Sequence, residues 1–296
     1  MTDSRHIGFV GLGAMGHAMA TTLLRHQYRV TGYDIREEAR KKFETAGGNS
    51  ASDAKGAARD VAALVLMTVN IDQAEAVLFE NGALDSLPKG ATVVLMATCA
   101  PSRVAALSRR VEATGRTFVD APVSGGVVGA EAGTLTIMAA ASQETFTRAR
   151  PMLSAMGSGL VHIGTEPGQG AAMKIVNQLL CGVHIAVAAE GLAFAEKQGI
   201  DPKVALEILS GSAASSWMLK NRGPRMLQQD PAVSSAVDIF VKDLNLVLDA
   251  GRSAKMGLPL AALAHQYFLS ASGMGLGAAD DSQVIEAYRA LAKLTK

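Results

Sequence analysis

The sequence predicts an α/β fold in which an N-terminal, doubly wound, mostly parallel sheet is followed by one long helix and an all-α C-terminal region. Three observations carry this. Short apolar runs alternate with amphipathic stretches up to about residue 163, the pattern of repeated βαβ units. Residues 168–199, GQGAAMKIVNQLLCGVHIAVAAEGLAFAEKQG, form the longest uninterrupted helical pattern in the chain. Beyond them strand signals fade, and alanine- and leucine-rich helical spacing takes over. A chain of 296 residues suits two domains better than one core. The boundary is expected at the composition change, giving residues 1–163 and 164–296, the second including the long helix.

In chain order, HIGFV reads as a buried strand and HAMATTLLRHQ as an amphipathic helix, with a second strand in YRVTGYD. REEARKKFETAG is a charged helix, VAALVLMTV a strand, DQAEAVLFE a helix and ATVVLMAT a strand. PSRVAALSRRVEATG opens with Pro101 near its first turn, as a helix tolerates. TFVDAPV and GTLTIMAAAS are further strands, QETFTRARPMLSAMG a helix, and LVHIG closes the sheet region. After the long helix come PKVALEILSGS, SSWMLKNRGPRML, VDIFVKDLNLVLDAGRSAKMG and LPLAALAHQYFLSASGMG, then a glycine-rich loop. Asp280, Asp281 and Ser282 offer an N-cap for a final helix, QVIEAYRALAKLTK.

Composition excludes several classes. Hydrophobic content of 49% marks a globular chain, and a net charge of +1 gives no field to attract nucleic acid or an anionic membrane. Small molecules are the expected partners. The two cysteines, Cys99 and Cys181, form no CxxC, and no Cys/His spacing suggests a metal site. They read as reduced thiols of a cytoplasmic protein. The N-terminus lacks a signal-like apolar region, and no apolar run reaches the ~18 residues of a spanning helix.

The first candidate site lies in Gly11-Leu12-Gly13-Ala14-Met15-Gly16, which follows a strand and opens a helix. A lone GxGxxG is weak evidence, but a second strand ending in Asp34, 18 residues past Gly16, completes the dinucleotide-binding Rossmann pattern. Gly11 permits the tight turn, Gly13 lets backbone approach a diphosphate at the helix N-terminus, and Gly16 allows close helix packing. Asp34 is placed to accept the adenosine ribose hydroxyl and to repel a 2′-phosphate, which points to NAD, whereas nearby Arg36 is the residue type that accommodates NADP. In such sheets ligands sit beyond the carboxyl ends of strands, which places Thr68, Val69, Asn70 and Thr98 at the cofactor crevice; as ordinary loop residues they fit equally well. Ser124, Gly125 and Gly126 form another strand-end loop, which is either a flexible turn or a nest of N–H groups suited to a carboxylate.

Lys174 and Asn177, three apart, leave the same face of the long helix. Lys174 is either a solvated surface lysine or a site amine; its neighbours Ala171, Ala172, Met173, Ile175 and Val176 are apolar nearly all round. Oxidising a hydroxy acid requires a group to take the hydroxyl proton as hydride leaves carbon, and a lysine serves once burial and positive neighbours draw its pKa toward neutrality. Lys242 is the candidate second lysine; its spacing equally permits an i,i+4 ion pair with Asp238.

GFVGLGAMG, DAPVSGG, GQGAAMKIVNQ and FVKDL together resemble, in order and separation, the four motifs of the β-hydroxyacid dehydrogenases, the family of 3-hydroxyisobutyrate and tartronate semialdehyde dehydrogenases. The resemblance spans nearly the whole chain. It implies an NAD-dependent dehydrogenase of a small hydroxy acid, with Lys174 as catalytic acid/base and Asn177 orienting substrate and lysine. It further implies that Ser124, Gly125 and Gly126 hold the substrate carboxylate, that Lys242 and Asp243 close the site near the nicotinamide, and that Thr98 touches the cofactor. One departure is Ala97, where many relatives have a serine before the threonine.

SSWMLKNRGP, VDIFVKDLNLV and SGMGLGAADDS resemble the branch that oxidises four-carbon sugar acids such as L-threonate at C2 with NAD. Such a substrate offers several hydroxyls for polar residues such as Ser216 and Asn221 to read, with Trp217 as a cleft wall or, in the commoner role, as core. The alternatives are a 3-hydroxyisobutyrate dehydrogenase, a reductase of tartronate or succinic semialdehyde, and a nucleotide-binding scaffold without turnover, against which the retained Lys174 argues. Imine reductases share the architecture with other residues at the lysine position. The alanine-rich helices suggest a homodimer or homotetramer.

Overall fold

The computed structural model describes residues 3–293. The chain divides into two compact units, Met1–Lys174 and Ile175–Lys296, the division falling inside the long helix.

The first unit runs β1 (His6–Val10), α1 (Ala14–Arg25), β2 (Arg29–Tyr33), α2 (Glu37–Thr45), β3 (Asn49–Ser50), α3 (Ala54–Ala58) and β4 (Ala63–Leu66). It continues with α4 (Ile71–Glu75) and a π-helical turn, α5 (Ala83–Ser86), β5 (Thr92–Leu95), α6 (Pro101–Glu112), β6 (Thr117–Asp120) and β7 (Val123–Ser124). It ends with α7 (Gly126–Ala132), β8 (Thr136–Ala140), α8 (Gln143–Met156), β9 (Gly159–Gly164) and the start of α9 (Gln169–Lys197). The strands form one sheet of order β3-β2-β1-β4-β5-β6-β8-β7, with β9 on β8. Six strands from β3 to β6 pair in parallel. β1, β4 and β5 are buried along their whole length, as central strands covered on both faces must be. Their side chains alternate between two apolar layers: Phe9, Val65 and Val94 join Met19, Leu23 and Phe43 on one face, while Leu64, Leu66, Val93 and Leu95 join Leu78 and Leu107 on the other.

The strand order reverses direction between β1 and β4, and the loops that leave the carboxyl ends of these two strands carry Gly11–Gly16 and Thr68–Asn70. This is the switch point at which open α/β sheets bind ligands.

The second unit contains the rest of α9, then α10 (Pro202–Gly211), α11 (Trp217–Met226), α12 (Val237–Ser253), α13 (Pro259–Ala271) and α14 (Ile285–Ala292). Its core gathers Ile185, Ala189 and Leu192 of α9 with Phe240 and Leu244 of α12, Phe268 of α13 and Ile285 of α14. Among the described residues α9 alone is long and apolar enough to cross a membrane, yet half of its most apolar stretch is buried within the protein.

Four local expectations change. The stretch after Ser124 is not loop alone: α7 follows at once, too short and too glycine-rich to show a helical period. β8 runs antiparallel to both β6 and β7, which therefore share one direction, because the chain turns back through α7 between β7 and β8. The glycine-rich segment after α13 begins as a π-helical turn, Ser272–Leu276, with Gly275 at φ +87°. The last helix starts through a 3₁₀ turn, Asp281–Val284, whose N-cap is Asp280.

Candidate active site

The nucleotide cradle is built by steric necessity. Gly11 holds φ +94°, and a Cβ there would lie 2.3 Å from the carbonyl oxygen of Met67, so only glycine lets the turn after β1 meet the loop after β4. At Gly16 a Cβ would stand 1.8 Å from the Gly11 carbonyl oxygen, which seats α1 against the turn. At Gly13, by contrast, a Cβ would find nothing nearer than Arg36 Nη2 at 3.7 Å. The first turn of α1, with Ala14 exposed and Met15 half-buried, receives no side-chain cap. Its free N–H groups, at the positive end of the helix, suit a diphosphate.

Asp34, at the end of β2, accepts from Leu12 N (2.8 Å) at Oδ2 and from Arg36 N (2.9 Å) at Oδ1. The Arg36 guanidinium adds Nε to Oδ1 at 3.1 Å and Nη2 to Oδ2 at 3.3 Å. Burial pushes the Asp34 carboxyl up, but the Arg36 side chain and the two amides outweigh it and hold the group below its ordinary value. An open glycine backbone at a helix N-terminus beside a carboxylate that stays ionised fits NAD.

Thr68 donates from Oγ1 to the Asn70 carbonyl at 2.9 Å, and Asn70 Oδ1 caps α4 by accepting from Gln73 N at 2.9 Å. Val69 is exposed, its N–H donating to Gln73 Oε1. These residues therefore shape the crevice rim through their own turn. Thr98 is half-buried just beyond β5. Ser124 ends β7, and Gly125 and Gly126 follow at φ +133° and +65°. A Cβ at Gly126 would meet open space, so the backbone there is accessible to a ligand.

Lys174 is 7% exposed, one of few buried charged residues in the protein. About one turn earlier, the start of α9 is held by a residue of β6 that sequence reasoning missed. Asp120, at the end of β6, is 1% exposed and accepts through Oδ2 from Gly168 N and Ala171 N, both at 2.8 Å. Among the described residues its Oδ1 has no hydrogen-bond partner. Burial raises the carboxyl to about 6, against the opposing pull of the Ala171, Gly168 and Gly170 amides.

In the second unit, Asn177 Nδ2 donates to Gln178 Oε1 at 2.9 Å, and Gln178 Nε2 donates to Asp243 Oδ2 at 2.5 Å. Lys242 Nζ reaches Asp243 Oδ1 at 2.6 Å. Asp238 does not provide the partner that i,i+4 spacing offered; it accepts instead from Ser272 Oγ at 2.6 Å. Asn177, Lys242 and Asp243 thus join one network, with the buried Gln178 as its link. Gln178 was detectable as a second amide, four residues after Lys174, in a largely apolar stretch of the helix. Trp217 is 57% exposed and is not core. Ser216 caps α11 by accepting from Leu219 N at 3.0 Å, and Asn221 Oδ1 accepts from Arg222 Nη1 at 2.5 Å.

Two family models match the chain: the NAD-binding domain of 6-phosphogluconate dehydrogenase over residues 6–164, and the NAD-binding region of NADP-dependent 3-hydroxyisobutyrate dehydrogenase over residues 168–288. The chain is 44% identical to an L-threonate dehydrogenase of Cupriavidus necator, covering 96% of each chain. It is 39% identical to an L-threonate dehydrogenase of Escherichia coli strain K12, covering 96% of this chain and 94% of that one. A crystal structure of 3-hydroxyisobutyrate dehydrogenase from Salmonella typhimurium superposes with a TM-score of 0.90 at 40% identity, over 95% of this chain and 99% of that one. With the glycine cradle and its ionised aspartate in place, these matches show that the chain belongs to the 3-hydroxyisobutyrate dehydrogenase-like family and is an NAD-dependent β-hydroxyacid dehydrogenase.

Proposed function

We propose that the protein oxidises L-threonate at C2 to 2-dehydro-L-erythronate, with Lys174 as general acid/base. The observation that supports the role of Lys174 is its burial on α9, since lysines are seldom withdrawn from water. Bound NAD supplies the hydride acceptor. In the forward direction the C2–H bond breaks with its electron pair, the hydroxyl proton passes to Lys174 Nζ, and the carbonyl forms. Asn177 orients the hydroxyl, with Gln178, Asp243 and Lys242 fixing its amide. Ser124 and the amides of Gly125 and Gly126 hold the carboxylate, while Trp217 and Asn221 meet the distal hydroxyls. The four-carbon substrate is supported by the L-threonate dehydrogenases among the relatives.

The second reading, oxidation of 3-hydroxyisobutyrate, is favoured by the Salmonella structure of that name. Initial rates of NADH formation with L-threonate, 3-hydroxyisobutyrate and glycerate decide between them. L-threonate is expected to give the highest kcat/KM by at least tenfold, because a site that hydrogen-bonds hydroxyls rejects analogues lacking them. A preference for 3-hydroxyisobutyrate would overturn the assignment.

Asp34→Ala releases Arg36 from its ion pair with the cradle carboxylate. The NAD:NADP ratio of kcat/KM is expected to fall by about tenfold or more, the scale of one charged hydrogen bond. An unchanged ratio would show that cofactor choice lies elsewhere.

A homo-oligomer is the matching assembly. Met173, Val176, Leu180, Val187 and Phe194 are exposed at three- and four-residue steps or their sums, an apolar stripe along one face of α9. Phe194→Lys is expected to lower the mass seen by light scattering toward the 30.6 kDa monomer. A wild-type chain that is already monomeric would remove the proposal.

A further inference from the structure

The first turn of α9 is fastened to the sheet more firmly than a helix start requires. Gly168 N–H and Ala171 N–H both end on one oxygen of Asp120, a carboxylate withdrawn from water at the carboxyl end of β6. Gly170, between them, has no room for a side chain: a Cβ would lie 2.4 Å from the Met138 carbonyl oxygen, 2.8 Å from that of Asp120 and 3.1 Å from Asp120 Cγ. Gly168 holds φ +106° with a Cβ position 2.9 Å from the Pro101 carbonyl oxygen. The helix start is thus pinned by strand ends and by one side chain. Lys174 lies three residues after Ala171, on the next turn of the same rigid element, and belongs to the same compact unit as Asp120.

We propose that Asp120 is the positioning residue for Lys174: by clamping the opening turn of α9 to β6, it sets where the catalytic amine stands relative to the hydroxyl it deprotonates. The inference rests on the proposed role of Lys174. Its physical content is that proton transfer demands hydrogen-bond reach, and a displacement of about 1 Å costs on the order of 100-fold in rate. Serine, threonine, asparagine and aspartate are the usual caps for free N–H groups at a helix start, and they act from the N-cap position itself. A buried carboxylate accepts the same bonds more strongly, and its desolvation opposes that gain. Supplied from β6, this cap ties α9 to the sheet, which a cap from the adjoining residue does not do.

The test compares Asp120→Ala and Asp120→Asn with the wild type and with Lys174→Ala. The substrate is the acid with the highest rate in the screen above, used both unlabelled and deuterated at the carbinol carbon. Activity is expressed per NAD-binding site, counted by NADH titration. Asp120→Ala is expected to lower kcat by about 10- to 100-fold, to leave KM for NAD within about twofold, and to raise the primary deuterium isotope effect on kcat because the chemical step becomes limiting. Asp120→Asn keeps an amide oxygen for the same two N–H groups and is expected to restore most of the rate. In the chain without cofactor, hydrogen exchange of the peptide spanning residues 165–178 is expected to quicken in Asp120→Ala and to stay near wild type in Asp120→Asn.

A purely structural role would reduce the number of NADH sites while leaving kcat per site and the isotope effect unchanged, and that result would overturn the proposal. Wild-type activity in Lys174→Ala would remove the reading on which it rests. An inactive Lys174→Ala beside an unimpaired Asp120→Ala would remove this inference alone. If Asp120→Ala cannot be recovered folded, Asp120→Ser, whose shorter side chain withdraws the acceptor from the amides, decides by the same readouts.

Discussion

Lys174→Ala is expected to lower kcat by at least ~100-fold, since general acid–base catalysis contributes on that scale, while the dissociation constant for NAD stays within about twofold. The separation follows from the geometry. The cradle is made by the backbone after β1 and by Asp34 at the end of β2, whereas the amine belongs to α9. Alanine is a good helix former, so the substitution itself does not unwind α9. Lys174→Arg is expected to fail almost as badly, because a guanidinium keeps its proton throughout the working range and cannot act as a base. Stopped-flow single-turnover rates of NADH formation, with fluorescence titration of NADH, separate the two quantities. Activity equal to wild type in either variant would retire Lys174 as the acid/base.

The largest expected loss of stability is at Asp281. This carboxylate is fully buried and receives Arg222 Nε at 2.9 Å and Nη2 at 2.8 Å, a two-pronged bond that ties α11 to the start of α14. Arg225 reaches the pair from the same helix, 3.4 Å from Asp281 Oδ1 and 3.2 Å from Asp280 Oδ1. Asp281→Ala leaves two guanidinium groups with one carboxylate between them. Breaking a buried pair from one side typically destabilises by about 3–5 kcal/mol, which in a unit of this size lowers Tm by on the order of 10 °C or more. The double variant Arg222→Met/Asp281→Leu is expected to recover most of that loss, because an apolar pair of similar volume carries no desolvation cost. Calorimetry on the three proteins measures both effects. A single variant as stable as the wild type would mean that the charges are solvated.

What the sequence made legible followed from residues whose role is fixed locally. GLGAMG, the strand before it and the aspartate after it can be read without a structure because the turn tolerates nothing but glycine at Gly11. The long helix was legible because its apolar positions run on without a breaker. Asp120 was not, since an aspartate closing a strand reads as a loop polar; its meaning depends on Gly168 and Ala171, some fifty residues later. Asp281 looked like one of three possible caps, and only the arrival of Arg222 from α11 distinguishes it from Asp280. Gln178 was concealed by the stronger pattern of Lys174 and Asn177 around it. Long-range pairing of polar groups is the common cause of these omissions, because periodicity reports only which face is apolar.

The way Asp34 is already occupied bears on how the protein can be inhibited. A carboxylate has about four lone-pair sites, and Leu12 N, Arg36 N, Arg36 Nε and Arg36 Nη2 take all four. An adenosine fragment must displace the arginine to reach them, so it exchanges one set of bonds for another and gains little. The amides at the mouth of α1 have no such competitor. Compounds that mimic the diphosphate have more free energy to win here than compounds that mimic the nucleoside.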